Sequence, residues 1–156
     1  MISVILSPEV TSLLSNYTSA ASDTETGGFL YGRMNPSWVY IGAISGPGPQ
    51  AIQKKYGLQL DRNYILNYTT KMIENDYFVV GTWHTHPPFS GCQPSSTDIK
   101  TMQSFIKYGL PDIPYVFCIA NQGMEKINFS FFSIYNINKI MKIENINIEV
   151  EDSNAR

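Results

Sequence analysis

The chain has 156 residues, of which 43% are hydrophobic and 13% aromatic, and its formal net charge is -2 at pH 7. These values predict one folded domain with a sizeable core, and they give no electrostatic reason to expect nucleic acid or a membrane as a partner. Apolar runs of only a few residues exclude a transmembrane helix, and two cysteines form no disulfide framework. Because no signal-peptide pattern is visible, we expect a cytoplasmic protein.

The first third of the chain predicts a strand, a helix and two more strands. A short strand over 2–6 precedes a helix that Ser7 can cap and Pro8 can begin, and apolar residues then recur along one helical face. The segments "ETGGFLYGR" at 25–33 and "SWVYIGAIS" after it both predict strands. The segment "GPGPQ" at 46–50 predicts a loop, because proline and glycine interrupt regular structure.

The middle of the chain predicts a strand, a helix and a strongly apolar strand. Alternation in "KYGLQL" at 55–60 predicts a half-buried strand with Tyr56 among the residues of its apolar face. Asp61 can cap a helix over 61–75. The segment "YFVVGTWH" at 77–84 is the most apolar strand, so we expect it in the middle of the sheet.

The last third of the chain predicts one more helix and several strands. Apolar spacing predicts a third helix that ends near Gly109 and Pro111. The strands "YVFCIA" and "INFSFFSIY" are predicted to form a hairpin across "NQG" at 121–123, and alternation over 146–150 predicts a further strand.

This order of elements predicts an α+β (α/β/α-like) domain, in which helices flank a mixed β-sheet. We assign residues 1–150 to a single domain and residues 151–156 to a C-terminal tail. Trp83 and Cys118 are expected in the core because they stand in the most apolar strands.

Both histidines of the chain lie in the stretch "GTWHTHPPFSGCQPSSTD". On a strand, side chains at i and i+2 point the same way, so His84 and His86 can converge on one ion while Thr85 faces the opposite side. Pro87 ends the strand directly after the pair. Two histidines in this position favour a metal site over a pair of ordinary hydrogen-bonded strand residues.

A third ligand can come from the start of the next helix. Ser95, Ser96 or Thr97 can cap this helix, which places Asp98 in its first turn. Two imidazole nitrogens and one carboxylate are typical of a catalytic zinc site, because a fourth position stays open for water. Cys92, in the intervening loop, is a weaker candidate as a ligand or redox-sensitive thiol, and we expect an incidental role for it.

A hydrolytic zinc site also needs a general base. Glu25 precedes a glycine pair that allows close backbone approach, and no helix cap or turn accounts for it. From position alone, a catalytic base and a solvated loop acid are equally good interpretations of Glu25. Helix starts, helix ends or turns account for the other upstream candidates, which are Glu9, Asp61, Glu74 and Asp76.

Together these segments resemble the JAB/MPN/Mov34 family of zinc metalloproteases, whose JAMM signature is a glutamate followed at a distance by H-x-H-P, seven residues and S-x-x-D. The chain has "HTHP" from His84, then residues 88–94, then "SSTD" ending at Asp98. Glu25 stands in "ETGGFLYG", which is similar to the family's E-x-G-G-x-L-x-G strand. The resemblance covers about residues 4–120 and implies the JAB/MPN (cytidine-deaminase-like) fold.

The resemblance implies roles for particular residues. His84, His86 and Asp98 would bind one catalytic Zn²⁺ ion, with water in the fourth position. Glu25 would be the general acid/base. Ser95 would donate a hydrogen bond to the oxyanion of the tetrahedral intermediate, which requires its hydroxyl to face the zinc, and Ser96 or Thr97 could then cap the helix instead.

The resemblance also implies a zinc-dependent isopeptidase or peptidase that acts at the C-terminus of a conjugated protein. The chain looks most like the JAB peptidases encoded beside ubiquitin-type activating and conjugating enzymes in bacterial antiphage (CBASS) operons. Its expected partners are those enzymes and a protein with an extended C-terminal tail, either ubiquitin-like or a cyclic-nucleotide synthase. Two alternatives are a hydrolase that processes the C-termini of sulfur-carrier or ubiquitin-like proteins, and a non-catalytic interaction module.

Overall fold

The structure is a computed structural model that describes residues 2–21, 23–110, 112–136 and 139–150. Within these ranges the chain forms ten strands and three helices. The strands are β1 (Ser3–Leu6), β2 (Gly27–Met34), β3 (Trp38–Ile44), β4 (Ile52–Lys54), β5 (Gly57–Gln59), β6 (Phe78–Thr85), β7 (Val116–Gln122), β8 (Ile127–Asn136), β9 (Lys139–Lys142) and β10 (Ile146–Ile148). The helices are α1 (Pro8–Ala21), α2 (Arg62–Glu74) and α3 (Ser96–Tyr108).

Eight of the described strands form one mixed sheet in the order β10-β1-β3-β2-β6-β7-β8-β9, and β4 pairs with β5 in a separate hairpin. β6 lies inside the sheet, antiparallel to β2 and parallel to β7. The predicted mixed sheet with flanking helices is therefore confirmed, as is the central position of β6. The predicted end of the third helix near Gly109 is confirmed, because Gly109 is the C-cap of α3, whereas Pro111 and the assigned tail at 151–156 lie outside the described residues.

Helices cover both faces of the sheet. α1 contributes Leu14 to a core cluster that also contains Trp83 and Cys118. α3 contributes Met102 to a second cluster, which contains Phe117. Because neighbours along a strand point to opposite faces, the adjacent positions of Phe117 and Cys118 place the two clusters on opposite sides of the sheet. The expected burial of Trp83 and Cys118 is confirmed, at 1% and 0% exposure. None of the described helices has the length and apolar character needed to cross a bilayer.

Three local features differ from the predictions. The strand predicted over 55–60 is confirmed only for β5, where Leu58 is half-buried, and the placement of Tyr56 on its apolar face is wrong, because β4 and β5 fold back on each other and leave Tyr56 in their turn at 77% exposure. Strands of three residues are too short to show a reliable alternation. The "NQG" turn is displaced, because β7 continues through Gln122 and the turn lies at 123–126. β9 has no counterpart among the predicted strands.

Candidate metal centre

His84 is the second-last residue of the central strand β6, and His86 directly follows the last one, Thr85. His84 is opposite Gly27 of β2 and Ile119 of β7, and the His86 backbone N–H donates to the Ala120 carbonyl at 3.0 Å. Strands on both sides therefore fix the backbone at the pair. The two imidazole rings lie together, with centroids 5.1 Å apart, as the two-residue period of a strand requires.

Asp98 reaches the histidines from the first turn of α3. The Ser95 hydroxyl accepts a hydrogen bond from the Asp98 N–H at 3.1 Å, and Asp98 Oδ2 accepts one from the Ser95 N–H at 2.9 Å, which together form a capping box. Of the three residues that the sequence allowed as caps, Ser95 is therefore the N-cap, and the alternative in which Ser96 or Thr97 caps the helix is wrong. The reason is that Ser95, unlike its two neighbours, has an acidic residue three positions later to complete the reciprocal pair.

The three side chains converge on one point. Asp98 Oδ1 lies 3.1 Å from His84 Nε2, and Asp98 Oδ2 lies 2.8 Å from His86 Nε2. One ligand atom from each residue lies within 4.8 Å of the other two. In a tetrahedral zinc site, bonds of about 2.0–2.2 Å place the ligand atoms roughly 3.3 Å apart. The observed spacing therefore suits a single metal ion.

One nitrogen of this site has no hydrogen-bond partner. His84 Nε2 is buried, and although Asp98 Oδ1 is 3.1 Å away, the direction of the ring N–H does not make a hydrogen bond with it. A buried polar atom without a partner is costly, whereas a neutral imidazole nitrogen can satisfy its lone pair on a metal ion. The unpartnered nitrogen and the two-histidine, one-carboxylate donor set fit Zn²⁺.

Asp98 is held in its charged form. Burial acts to raise its pKa, but the two adjacent imidazoles outweigh burial and hold the Asp98 pKa well below its ordinary value. The hydrogen bond with Asp98 in turn raises the pKa of His86, more than burial lowers it. The carboxylate is therefore available as an anionic ligand.

The second ring nitrogen of His86 lies against a backbone carbonyl. His86 Nδ1 is 3.3 Å from the Gly91 oxygen, so the tautomer with its proton on Nδ1 donates to this carbonyl and leaves the Nε2 lone pair for a metal. Gly91 has a φ of 86°, a left-handed conformation that favours glycine. The loop backbone thus orients the ring.

Glu25 lies two residues before β2, in the same cavity as the three candidate ligands. The antiparallel register of β2 and β6, extended by a 2.8 Å hydrogen bond from the Thr85 N–H to the Thr26 carbonyl, brings Glu25 alongside the histidines. Glu25 and all three ligands line one cavity. Burial raises the pKa of the Glu25 carboxyl, and nearby His84 partly offsets this effect.

The other acidic residues considered as a base lie elsewhere. Asp61 caps α2 by accepting the Tyr64 N–H at 3.2 Å, as the sequence predicts. Glu25 differs from all of them, because it lines the cavity at the histidines and is partly buried. The remaining candidates are exposed and outside the cavity lining, and they are Glu9, Glu74 and Asp76.

Asn121 holds the loop between the ligands, and sequence reasoning missed it. This residue is 1% exposed, and its amide nitrogen lies 2.6 Å from the Pro87 carbonyl oxygen and 3.4 Å from that of His86. Its Oδ1 accepts the Gly91 N–H at 3.3 Å. Since the Gly91 carbonyl faces His86 Nδ1, Asn121 is a positioning residue for that ring. The "NQG" pattern hid this role, because it predicts an exposed turn at a position where Asn121 is a buried residue within β7.

Asn121→Ala is expected to weaken zinc binding by roughly 10–100-fold, the usual effect of losing a partner behind a metal ligand. A competition titration against a zinc chelator measures this affinity. Asn128→Ala is the matched control, because Asn128 is exposed and pairs with Asn121 across β7 and β8. If Asn121→Ala unfolds at a lower temperature but binds zinc as tightly as the wild type, its role is structural and not positional.

Two other residues of this region have structural roles. The Thr85 hydroxyl accepts the Thr26 N–H at 3.0 Å and ties the segment after Glu25 to β6, with Thr85 only 2% exposed. Cys92 is half-buried, and its thiol lies 3.6 Å from the Asn128 carbonyl oxygen, outside the three-residue ligand group. The geometry thus gives Cys92 a packing contact in place of a ligand position.

Comparisons with known proteins place this geometry in a family. The family model for prokaryotic homologs of the JAB domain matches residues 7–134. A search of curated proteins found no match. The solution structure of protein DSY2949 from Desulfitobacterium hafniense is similar to the chain with a TM-score of 0.73 at 18% identity, over 95% of this chain and 94% of that one, which shows a shared fold. With the family match covering most of its length, the chain belongs to the prokaryotic homologs of the JAB domain.

Proposed function

We propose that the protein is a zinc-dependent peptidase or isopeptidase that hydrolyses the amide bond between the C-terminus of one protein and its conjugated target. The observation that carries this proposal is the convergence of His84, His86 and Asp98 in a cavity that also contains Glu25. Membership of the JAB family supports a hydrolase. In this proposal residues 1–150 form the catalytic domain, and the protein acts in the cytoplasm.

Glu25 would move the protons of this reaction. When bound, Zn²⁺ lowers the pKa of a water in its open fourth position towards about 7 and polarises the substrate carbonyl. Glu25 accepts a proton from the attacking water and delivers it to the leaving amine. Because partial burial raises the pKa of Glu25, the carboxylate is a stronger base than a solvated glutamate.

Ser95 can cap α3 and donate a hydrogen bond to the substrate at the same time. Its hydroxyl oxygen accepts the Asp98 N–H, and accepting that bond leaves the hydroxyl hydrogen available as a donor. Ser95 is exposed and lines the same cavity as the ligands. The hydrogen can therefore be donated to the oxyanion that develops on the scissile carbonyl.

Ser95→Ala is expected to lower kcat by about 10²–10³-fold, through loss of the oxyanion donor. Loss of the cap should also lower the free energy of unfolding by about 1 kcal/mol. Ser95→Gly separates the two effects, because glycine restores most of the capping stability without a hydroxyl, and Ser95→Thr keeps both. Steady-state kinetics and urea unfolding measure them. Activity that recovers in Ser95→Gly along with stability contradicts a role in the reaction.

The substrate proposed for this site is a protein with an extended C-terminal tail. The resemblance to JAB peptidases of antiphage operons supports a cyclic-nucleotide synthase joined to its target as the first substrate to test. It also supports the ubiquitin-type activating and conjugating enzymes of such operons as functional partners. A sulfur-carrier protein with a C-terminal extension is the competing substrate.

Cleavage of a reporter joined to the C-terminal tail of that synthase tests the proposal. We expect the wild type to release the reporter, a chelator to stop release, and added Zn²⁺ to restore it, because no other described cluster supplies metal ligands. Mass spectrometry of both products locates the cleaved bond. The proposal is contradicted if the zinc-loaded protein cleaves neither the synthase fusion nor the sulfur-carrier fusion. It is also contradicted if fully metal-free protein cleaves either of them. Preference for the sulfur-carrier fusion supports the competing substrate.

A further inference from the structure

The cavity that contains the ligands extends well beyond them. Its volume is about 670 Å³, which lies within the range of roughly 300–1,000 Å³ found for pockets that bind organic ligands. Residues of α3 form one part of its lining, and the β4–β5 hairpin with the segment after it forms another. The apolar part of the lining includes Phe29, Leu58, Leu60, Met102, Phe105 and Phe117.

The α3 wall is rigid because an aromatic cluster holds it. The Phe105 ring makes edge-to-face contacts with Tyr115 at 4.8 Å and Phe117 at 5.7 Å between centroids. A third edge contact, at 6.0 Å, joins Phe105 to Phe29 on the floor of the cavity. Rings fixed in this way keep the cavity open without a ligand, so it costs little reorganisation to fill.

The hairpin wall is tied to the segment that carries the catalytic acid. The Glu25 N–H donates to the Lys54 carbonyl at 2.7 Å, at the end of β4. Leu58 of β5 lies so close to Gly27 that a Cβ there would be 2.9 Å from Leu58 Cδ2 and 2.4 Å from the Trp83 carbonyl oxygen. The hairpin therefore packs onto the backbone of Gly27, which has no side chain, close to Glu25. This packing places an apolar wall next to the reacting groups.

Charge is confined to the metal end of this cavity. Among the described lining residues, the carboxyl groups are those of Glu25 and Asp98, and no lysine or arginine contributes. The Thr101 hydroxyl donates to the Thr97 carbonyl at 3.1 Å within α3, so its hydrogen is engaged by the helix itself. At the end of the cavity away from the metal, a charged substrate group would lose its hydration without gaining an oppositely charged partner, which is unfavourable. An apolar group there would be stabilised by the burial of its surface.

We propose that this cavity is a specificity pocket for a bulky apolar side chain, such as leucine or phenylalanine, within two residues of the scissile amide. The inference rests on the proposed peptidase function and deepens it by naming the substrate class. A tail that ends in glycines would leave the pocket unfilled, so the preferred tail carries an aliphatic or aromatic residue beside the cleaved bond. Thr101 lies on the exposed rim of α3 and is the residue from which the pocket can be filled.

Peptides with one varied position test the pocket. Internally quenched peptides based on the synthase tail carry glycine, aspartate, lysine, leucine or phenylalanine on either side of the cleaved bond. We expect kcat/KM for the leucine or phenylalanine peptide to exceed that for the aspartate peptide by at least about tenfold. Thr101→Trp should lower the phenylalanine-to-glycine ratio of kcat/KM by at least about tenfold, because indole occupies the pocket. Ser104→Trp, on an exposed position of α3 outside the lining, should leave that ratio unchanged.

Binding of the same peptides to Glu25→Gln, measured by calorimetry, separates this inference from the proposed function. If the wild type cleaves the peptides without side-chain preference, or if Thr101→Trp does not change the phenylalanine-to-glycine ratio of kcat/KM, the specificity pocket is contradicted and the proposed peptidase function is not. Selective binding of the phenylalanine peptide without cleavage of any peptide by the wild type supports the pocket and overturns the peptidase. Absence of both cleavage and selective binding overturns both.

Discussion

Asp98→Ala is expected to remove zinc-dependent cleavage and to weaken zinc binding by more than the roughly 10–100-fold that loss of an outer partner causes. The two carboxylate oxygens of Asp98 lie against the Nε2 atoms of His84 and His86, so the variant keeps two neutral nitrogens and no anionic ligand. It also breaks the capping box with Ser95, which should cost about 1 kcal/mol of unfolding free energy. Chelator competition and urea unfolding of the metal-free protein measure the two losses.

Asp61→Ala is the matched control for that variant. Asp61 caps α2 by the same chemistry, accepting the Tyr64 N–H at 3.2 Å and the Gln50 N–H at 3.0 Å, and it lies outside the ligand group. We expect a similar loss of stability with unchanged zinc affinity. Equal loss of zinc affinity in both variants means that destabilisation is responsible, and Asp98 is then not a ligand.

Glu25→Gln is expected to lower kcat/KM by about 10²–10⁴-fold, the usual contribution of a general acid/base. Glutamine keeps the size of the side chain but cannot carry the proton from water to the leaving amine. Because Glu25 lies beside the ligand group and is not a member of it, the zinc affinity should stay close to that of the wild type. Kinetics on the fusion substrate and chelator competition together measure this outcome.

Glu9→Gln controls for the loss of one negative charge. Glu9 is exposed in the first turn of α1 and was a possible base on sequence grounds alone. Its substitution should leave kcat/KM unchanged. Full activity of Glu25→Gln would move the general base to another group, whereas loss of zinc from Glu25→Gln would make Glu25 a ligand.

The convergence of the three candidate ligands could be predicted because it depends on local geometry. The two-residue period of a strand places His84 and His86 on one side, and the first turn of a helix offers Asp98 at a set distance from its cap. The choice of cap was harder, since three adjacent hydroxyl residues satisfy the same preference. The reciprocal bond between Ser95 and Asp98 decides it, and that bond follows from the three-residue spacing of a capping box.

The β4–β5 hairpin and the contacts of Asn121 could not be predicted, for different physical reasons. β4 and β5 have three residues each, which is too few for a hydrophobic period to show, and their turn exposes Tyr56. Asn121 stands in a sequence that favours a turn, but β7 pairs with β8 through Gln122, so Asn121 is part of the strand. Its buried amide then binds the Pro87 and Gly91 backbone, contacts that depend on two separated segments meeting.

By itself, the sequence determined the donor types, their spacing and the mixed arrangement of strands and helices, because each depends on residues close together in the chain. The position of Glu25 beside the candidate ligands depends on the tertiary structure, since Thr26, the residue after Glu25, is hydrogen-bonded to Thr85 across 59 positions where β2 pairs with β6. The apolar cavity beside the candidate ligands also depends on tertiary structure, because α3 and the β4–β5 hairpin, which are distant in the chain, both line it. Strand register and the packing of distant elements are global properties, and no local period encodes them.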